Sequence, residues 1–518
     1  MSVRSCIFGI LTVILLSPFQ TKADEGMWPP SLINQAIFER MKALGFSLTP
    51  EQLYSASQPS LKDAIVLFGR GCTAEIISSQ GLLLTNHHCG HGQIQSHSTL
   101  QNDYLANGFW AKNQKEELKN PGLTASILVR MEEVTPMVMQ SILPSMNDKE
   151  KAQTMEANIK MITSAATNGT HFQAQVKPFF GGLQQWLLVY EVFTDVRLVG
   201  APPSSIGKYG GDTDNWIWPR HTGDFCLFRI YAGKDNKPAP YSPENQPYVP
   251  KKFLPISTSG IKEGDFTMIL GYPGRTMEYL PSFALEMVSK VSNPPKISLR
   301  TKRLDIINAA MQSSKEDRIR YSSKQADIAN AWKKWKGELL GMSKANAVGV
   351  KKEREARYNR FFESKGEVGK PFLLAYRQLD TAYQDMSKLV VGFEFFREAV
   401  AANDVFGLVG SLKRMMPAKD AKWSDSLKRA KLNEYKILAR SIWKDCNPII
   451  ERDLFRTSLF AYYKEVPAKM HSPKFLDMVS KAPFEGGIFE NQYFDKGKWF
   501  DSTKVFSLAE KVFSGKVG

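Results

Sequence analysis

At 518 residues the chain exceeds what one hydrophobic core organises, so two or three domains are expected. Hydrophobic content of 43%, with 31 Phe and 10 Trp, excludes a disordered chain. The formal charge of +16 admits nucleic acid or an anionic membrane surface as a partner, but no zinc-finger or RNP-type pattern supports nucleic-acid binding as the primary function.

The N-terminal stretch "MSVRSCIFGILTVILLSPFQTKADEG" carries Arg4, an apolar run over 6–16 and then polar residues ending in Ala23. That is the layout of a secretory signal peptide over 1–23, with Thr21-Lys22-Ala23 as the cleavage site. Its apolar core falls short of the roughly 18 residues that a membrane span needs. The mature chain is therefore expected to be soluble and exported. Removing Arg4 and Lys22 with the leader lowers the charge from +16 to +14. In an oxidising compartment a spaced cysteine pair favours a disulfide over a metal site. Cys226 and Cys446 read as buried small apolar residues.

From about 45 to 280 the texture is strand-like, with short apolar runs between Gly, Pro and Asn. The clearest strands are "ASILVRMEEV" (125–134), "QWLLVYEVFTDVRLVG" (185–200), "DFCLFRIYAG" (224–233) and "DFTMILGYPG" (265–274). Residues 147–166 interrupt them with helical spacing behind an Asn/Asp cap, as a helical insertion. Near Pro294-Pro295 the character switches, and 296–336 contains neither Gly nor Pro. Most of the basic excess sits here: 18 Lys/Arg against 7 Asp/Glu over 290–360, read as a solvated helical face. Many short strands followed by helices favour a barrel or sandwich with a separate α-helical domain.

Residues 72–89, "CTAEIISSQGLLLTNHHC", present two short strands about an "SSQG" turn, the second placing His87 and His88 at its tip. Three readings compete: a metal site, a stapled strand that only packs, or a stapled strand that delivers a catalytic histidine. A Cys72–Cys89 bridge would hold the histidine backbone against its neighbour strand, which a general base requires. The metal reading would draw on His87, His88, Cys89, His91 and His97. Adjacent histidines at a strand tip splay to opposite faces, and the set lacks a zinc spacing such as His-Glu-x-x-His. No metal and no organic cofactor are expected.

A second constellation is "GKYGGDTDNWIWPRHTGDFCLFRIYAG" (207–233). Asp224 heads an apolar strand, where it is either a turn cap or the buried carboxylate that orients a histidine. Asn215 and Trp216 either pack a loop corner or line a pocket.

The Cys-(16 residues)-Cys pattern with His before the second Cys, followed by Gly-Asp-Phe-x-Leu-Phe, resembles the His and Asp segments of chymotrypsin-fold serine peptidases. The longer strings "LLLTNHHCG", "NDYLANGFWA", "GDTDNWIWPRHTGDF" and "GYPGRT" resemble the bacterial exported dipeptidyl-peptidases of serine peptidase family 46. The resemblance implies a β-rich double β-barrel of chymotrypsin type with a large α-helical domain inserted into the second barrel. The peptidase region would run over 24–285 and the helical cap over 286–518. It implies His88 as catalytic base, Asp224 as its orienting acid, and Asn215, Trp216 and Asn330 as the residues that hold a substrate's free α-amino group. Two amide oxygens can accept from an ammonium without neutralising it. Peptides with a free N-terminus are the implied substrates, a homodimer the implied assembly and the periplasm the implied location.

The resemblance also implies a nucleophile in a Gly-x-Ser-Gly turn after the helical region. Beyond Asp224 the chain has only the Ser-Gly pairs 259–260 and 514–515, and neither sits in such a turn. The second barrel is thus expected to be incomplete, the sequence corresponding to the first two-thirds of a longer enzyme. The alternative is a non-catalytic peptide-binding protein of the same fold; a basic surface-binding module is a weaker one.

Overall fold

The computed structural model describes residues 27–274, 277, 279–416 and 423–514, so the leader read over 1–23 lies outside the described residues. Eleven strands alternate with short helices: β1 (Ile65–Phe68), β2 (Cys72–Ile76), β3 (Leu82–Thr85), β4 (Phe109–Trp110), β5 (Leu118–Lys119), β6 (Ala125–Glu133), β7 (Gln173–Phe179), β8 (Gln184–Phe193), β9 (Asp195–Ala201), β10 (Cys226–Ala232) and β11 (Gln246–Pro247). They form one antiparallel sheet in the order β4-β9-β10-β3-β2-β1-β6-β8-β7, with β5 on β9 and β11 on β10. The β-rich first half is as expected, whereas the strand path among the described residues is one eleven-stranded sheet.

Period-two burial explains why these segments are strands. In β10, Cys226, Phe228 and Ile230 are fully buried, while Leu227 and Arg229 between them are only half-buried. They join Ala74 and Ile76 of β2, Leu83 of β3 and Phe68 of β1 in the principal core. The "SSQG" hairpin forms as read, β2 pairing β3 with Ala74 opposite Thr85. The apolar run 185–200 is two strands broken at Thr194, because β8 pairs β6 and β7 while β9 turns to β10. The insertion expected at 147–166 is the helix Asp148–Thr167, closed by a capping box between Asn147 and Glu150.

The strand expected over 265–274 is not formed. Where the segment passes β2, its Tyr272 N–H goes to the Thr73 side chain at 2.8 Å rather than to a backbone carbonyl, so no ladder forms. Its Phe266 and Leu270 pack on Phe38, Phe46 and Leu53 of the N-terminal segment.

The helical half begins at Ser282, four residues before the boundary expected at 286 and well before Pro294-Pro295. A π-type turn, Val288–Ser292, leads into the helix Asn293–Ser313. The prolines occupy its first turn, and the shifted hydrogen bonding before them accommodates their missing N–H groups. The long helix Lys315–Lys344 follows, and further helices continue to Phe513. The basic stripe is only partly a solvated face. Lys296 pairs with Glu394 at 3.5 Å, Arg300 with Glu398 at 2.8 Å and Lys324 with Glu451 at 2.6 Å, all tying helices together. No helix among the described residues is long and apolar enough to cross a membrane.

Candidate active site

The two histidines begin a helix rather than ending a strand. Thr85 closes β3, Asn86 is the N-cap, and His87–His97 is helical. Neighbours on a helix point about 100° apart, so His87 is buried at 1% exposure while the His88 side chain is 63% exposed. The separation of the pair that was expected from a strand tip therefore arises from helical geometry. Gly90 lets this helix lie directly on β10, since a Cβ there would meet the Cys226 sulfur at 2.7 Å.

Cys72 and Cys89 form a disulfide with Cα atoms 6.1 Å apart, joining the start of β2 to the residue after His88. Their sulfurs are bonded to each other and cannot act as thiolate ligands beside His88. Closing a loop of this length stabilises the fold by about 3 kcal/mol in the chain-entropy model. The double variant Cys72→Ser/Cys89→Ser is accordingly expected to lose about 3 kcal/mol of unfolding free energy in urea titrations; an unchanged midpoint would contradict this. Cys226 and Cys446 are both free and buried, and burial pushes both thiols up.

Asp224 lies two residues before β10, the strand beside β3, and this adjacency brings it to the histidine helix. Its Oδ1 accepts the His88 backbone N–H at 3.0 Å, and its Oδ2 lies 2.7 Å from His88 Nδ1. Asn86 Nδ2 donates to the Asp224 carbonyl at 3.2 Å. Burial alone would raise this carboxyl, but the His88 ring, the His88 amide and the Arg220 guanidinium outweigh it and hold it below the usual range. Asp224 is thus more than a turn cap: both of its carboxylate oxygens bond His88, and Oδ2 also accepts from Asn86 Nδ2 at 3.4 Å.

Asn215, Trp216 and Asn330 also meet. Asn215 Nδ2 donates to Asn330 Oδ1 at 2.9 Å, and Trp216 Nε1 donates to Asn330 O and Oδ1 at 3.0 Å each. Asn330 comes from the helix Lys315–Lys344, so one cluster is assembled from both halves of the molecule. Trp216 stands at φ 61°, a left-handed conformation that costs a bulky residue energy and is held here by the Asn330 contacts. The aromatics of "NWIWPRH" are exposed, Trp216 at 54% and Trp218 at 91%.

Sequence reasoning missed the connection between these two clusters. Arg220 Nη2 lies 3.5 Å from Asp224 Oδ2, and its Nη1 is 3.4 Å from Asn215 Oδ1. Only its position between two noted residues hinted at this. The second omission is the seam beneath. Gln95, on the histidine helix, donates to the Arg320 carbonyl at 2.9 Å and accepts from the Ser323 amide at 2.6 Å. Gln325 donates to Asp212 at 2.8 Å and accepts from Lys208 at 3.2 Å.

His87 and His91 are held neutral. Burial depresses both, with Lys208 and the neighbouring histidines adding to it, and His91 is lowered to about 3. A histidine depressed by folding stabilises fully above its unfolded value near 6.5 and loses that contribution as pH falls. Asp224, also depressed, acts only at lower pH, below the unfolded carboxyl value near 3.9. Between pH 7 and 5 His91 alone is therefore expected to cost about 2 kcal/mol at pH 5. Urea midpoints at both pH values check this, and His91→Gln should flatten the difference.

Residues 23–510 match the family model Peptidase S46. The chain is 43% identical over 491 residues to an Asp/Glu-specific dipeptidyl-peptidase of Capnocytophaga gingivalis, covering 94% of this chain and 68% of the relative. It is 41% identical over 459 residues to one from Flavobacterium psychrophilum, covering 88% and 64%, and 37% identical over 501 residues to dipeptidyl-peptidase 7 of Porphyromonas endodontalis, covering 95% and 60%. The chain therefore spans about two thirds of the length of these relatives. A crystal structure of Porphyromonas endodontalis DPP11 in complex with the dipeptide Arg-Glu superposes with a TM-score of 0.79 at 31% identity, covering 95% of this chain and 74% of the other. With the match running through both halves of the molecule, the chain belongs to the peptidase S46 family.

Proposed function

We propose that this chain carries the base, the orienting acid and the amine anchor of a serine-type dipeptidyl aminopeptidase acting on peptides with a free N-terminus. The observation that carries this reading is the two-point contact of Asp224 with His88, beside the Asn215, Trp216 and Asn330 cluster. Asp224 keeps the proton on His88 Nδ1, which leaves Nε2 as the acceptor. The attacking group is a serine hydroxyl in a Gly-x-Ser-Gly turn, a motif absent from these 518 residues. Its proton passes to Nε2 as the oxygen bonds to the substrate carbonyl carbon. His88 then returns that proton to the leaving amine, and a water deprotonated by Nε2 frees the dipeptide from the acyl-enzyme.

The amide oxygens of Asn215 and Asn330 accept from the substrate ammonium, Trp216 Nε1 keeping the Asn330 backbone carbonyl as it yields Oδ1, and the Trp216 indole walls the pocket. Fixing the amino end at that depth sets the cut two residues in. The double-barrel closure, export to the periplasm and the homodimer belong to the same proposal. The test is cleavage by the complete enzyme of dipeptidyl substrates with free and acetylated N-termini, bearing acidic or hydrophobic residues before the cut. Free substrates should be cleaved and acetylated ones should not; equal rates would overturn the anchor.

A further inference from the structure

Both amide oxygens proposed for the substrate ammonium carry donors of the protein's own. Asn330 Oδ1 accepts from Asn215 Nδ2 at 2.9 Å and from Trp216 Nε1 at 3.0 Å, while Asn215 Oδ1 accepts from Arg220 Nη1 at 3.4 Å. Two of these donors have a second acceptor within reach. Trp216 Nε1 also donates to the Asn330 carbonyl at 3.0 Å, and Arg220 Nη2 lies 3.5 Å from Asp224 Oδ2. The first alternative stays inside the anchor. The second leads out of it, to the carboxylate that holds His88 by its backbone amide and by ring Nδ1.

Arg220 is placed to move rather than to brace. Its side chain is 38% exposed, and these two long contacts are its only polar ones among the described residues. Other groups fix the loop around it. Thr222 Oγ donates to the Tyr209 carbonyl at 2.8 Å, and the Gly223 amide donates to the Ile206 carbonyl at 3.1 Å. Gly223 lies so close that a Cβ on it would meet Ile206 Cγ2 at 2.7 Å. A guanidinium suits the shared position, because its planar fork offers separate nitrogens to two acceptors. An ammonium bonded to Asn215 Oδ1 sets a second positive charge beside that fork, and like charges at such range repel. The carboxylate on the other side attracts it.

We infer that Arg220 is a positioning residue coupling the amine anchor to the His88–Asp224 pair: an ammonium taking Asn215 Oδ1 turns the guanidinium over to Asp224. The carboxylate is then held at a third point, and the base is set in its working geometry once the amino end is seated. A closer guanidinium also takes a share of Oδ2, the oxygen that accepts from His88 Nδ1, so that ring bond lengthens.

The inference rests on the amine-anchor reading, and one titration separates the two. The 518-residue chain, isotope-labelled at its histidine nitrogens, is titrated with Ala-Ala-amide, which keeps the ammonium, and with N-acetyl-Ala-Ala-amide, which lacks it. Trp216 fluorescence reads binding. The downfield proton on His88 Nδ1, identified by its loss in His88→Gln, reads the bond to Asp224. Ala-Ala-amide should bind at least about tenfold more tightly than the acetyl form and move that proton upfield. Arg220→Met and Arg220→Lys should each bind Ala-Ala-amide within about fivefold of the unmodified chain, as befits a weak exposed contact, with the proton unmoved. Equal binding of the two peptides overturns the anchor and the coupling with it. Tighter binding of Ala-Ala-amide with no movement of the proton in the unmodified chain overturns the coupling alone, as does full movement in Arg220→Met. Should Arg220→Met fail to fold, Arg220→Lys, which keeps the charge and gives up the fork, decides in the same way.

Discussion

Replacing Asp224 by asparagine is expected to lower kcat of the complete enzyme about 10⁴-fold while leaving KM nearly unchanged. The native carboxylate accepts twice from His88, from the backbone amide at 3.0 Å and from ring Nδ1 at 2.7 Å. Asparagine retains one acceptor oxygen. If that oxygen keeps the amide bond, the NH2 faces Nδ1, and the ring must accept there. The proton then sits on Nε2, where a base cannot use it. The geometry survives and the chemistry does not, so a kcat–KM split identifies the effect. A kcat within tenfold of the native value would contradict this assignment of Asp224.

Removing the Asn330 side chain is expected to weaken binding of free-N-terminus peptides by about 30- to 100-fold, or 2–3 kcal/mol. Its Oδ1 is the common acceptor for Asn215 Nδ2 and Trp216 Nε1. Asn330→Ala therefore leaves both donors without that acceptor and removes one of the two oxygens proposed for the ammonium. An acetylated peptide, which presents no ammonium, should show no comparable change. Fluorescence titration of Trp216 with the two peptides measures both quantities. Equal weakening of both would assign Asn330 a packing role only.

These two sites differ in how they could be read from the chain. The Cys72–His88–Cys89 pattern and Asp224 lie in short strings whose residue types admit the chemistry among other readings. A cysteine pair in a chain expected to be exported points to a bridge, whereas an Asp before a buried strand is either a turn cap or a held carboxylate, and the family resemblance favoured the second. Asn330 is the opposite case. On a 30-residue helix an asparagine is an ordinary polar residue, and only the family resemblance singled it out. Arg220 was hinted at only by its position between Asn215 and Asp224, and Gln95 carried no signal, because it acts by reaching across a seam that has no local sequence signature.

The errors share that origin. The stretch 265–274 has strand composition but pairs with β2 only through the Thr73 side chain, and Phe266 and Leu270 find their apolar partners on the N-terminal segment instead. The histidines looked like a strand end, but the close packing permitted by Gly90 lets a helix start there. Likewise the basic stripe looked solvated until the acids at Glu394, Glu398 and Glu451 came opposite it in space.

By itself the amino-acid order determined the periodicities, and with them the β-rich first half, the helical second half, and the residue types able to move a proton or hold an amine. Which strand neighbours which, which charges end up facing one another, and which side chains from distant segments meet were decided only by the packed chain. Local propensity acts over a few residues, whereas the pairing of Asp224 with His88, of Asn330 with Trp216, or of Lys324 with Glu451 depends on groups more than 90 residues apart.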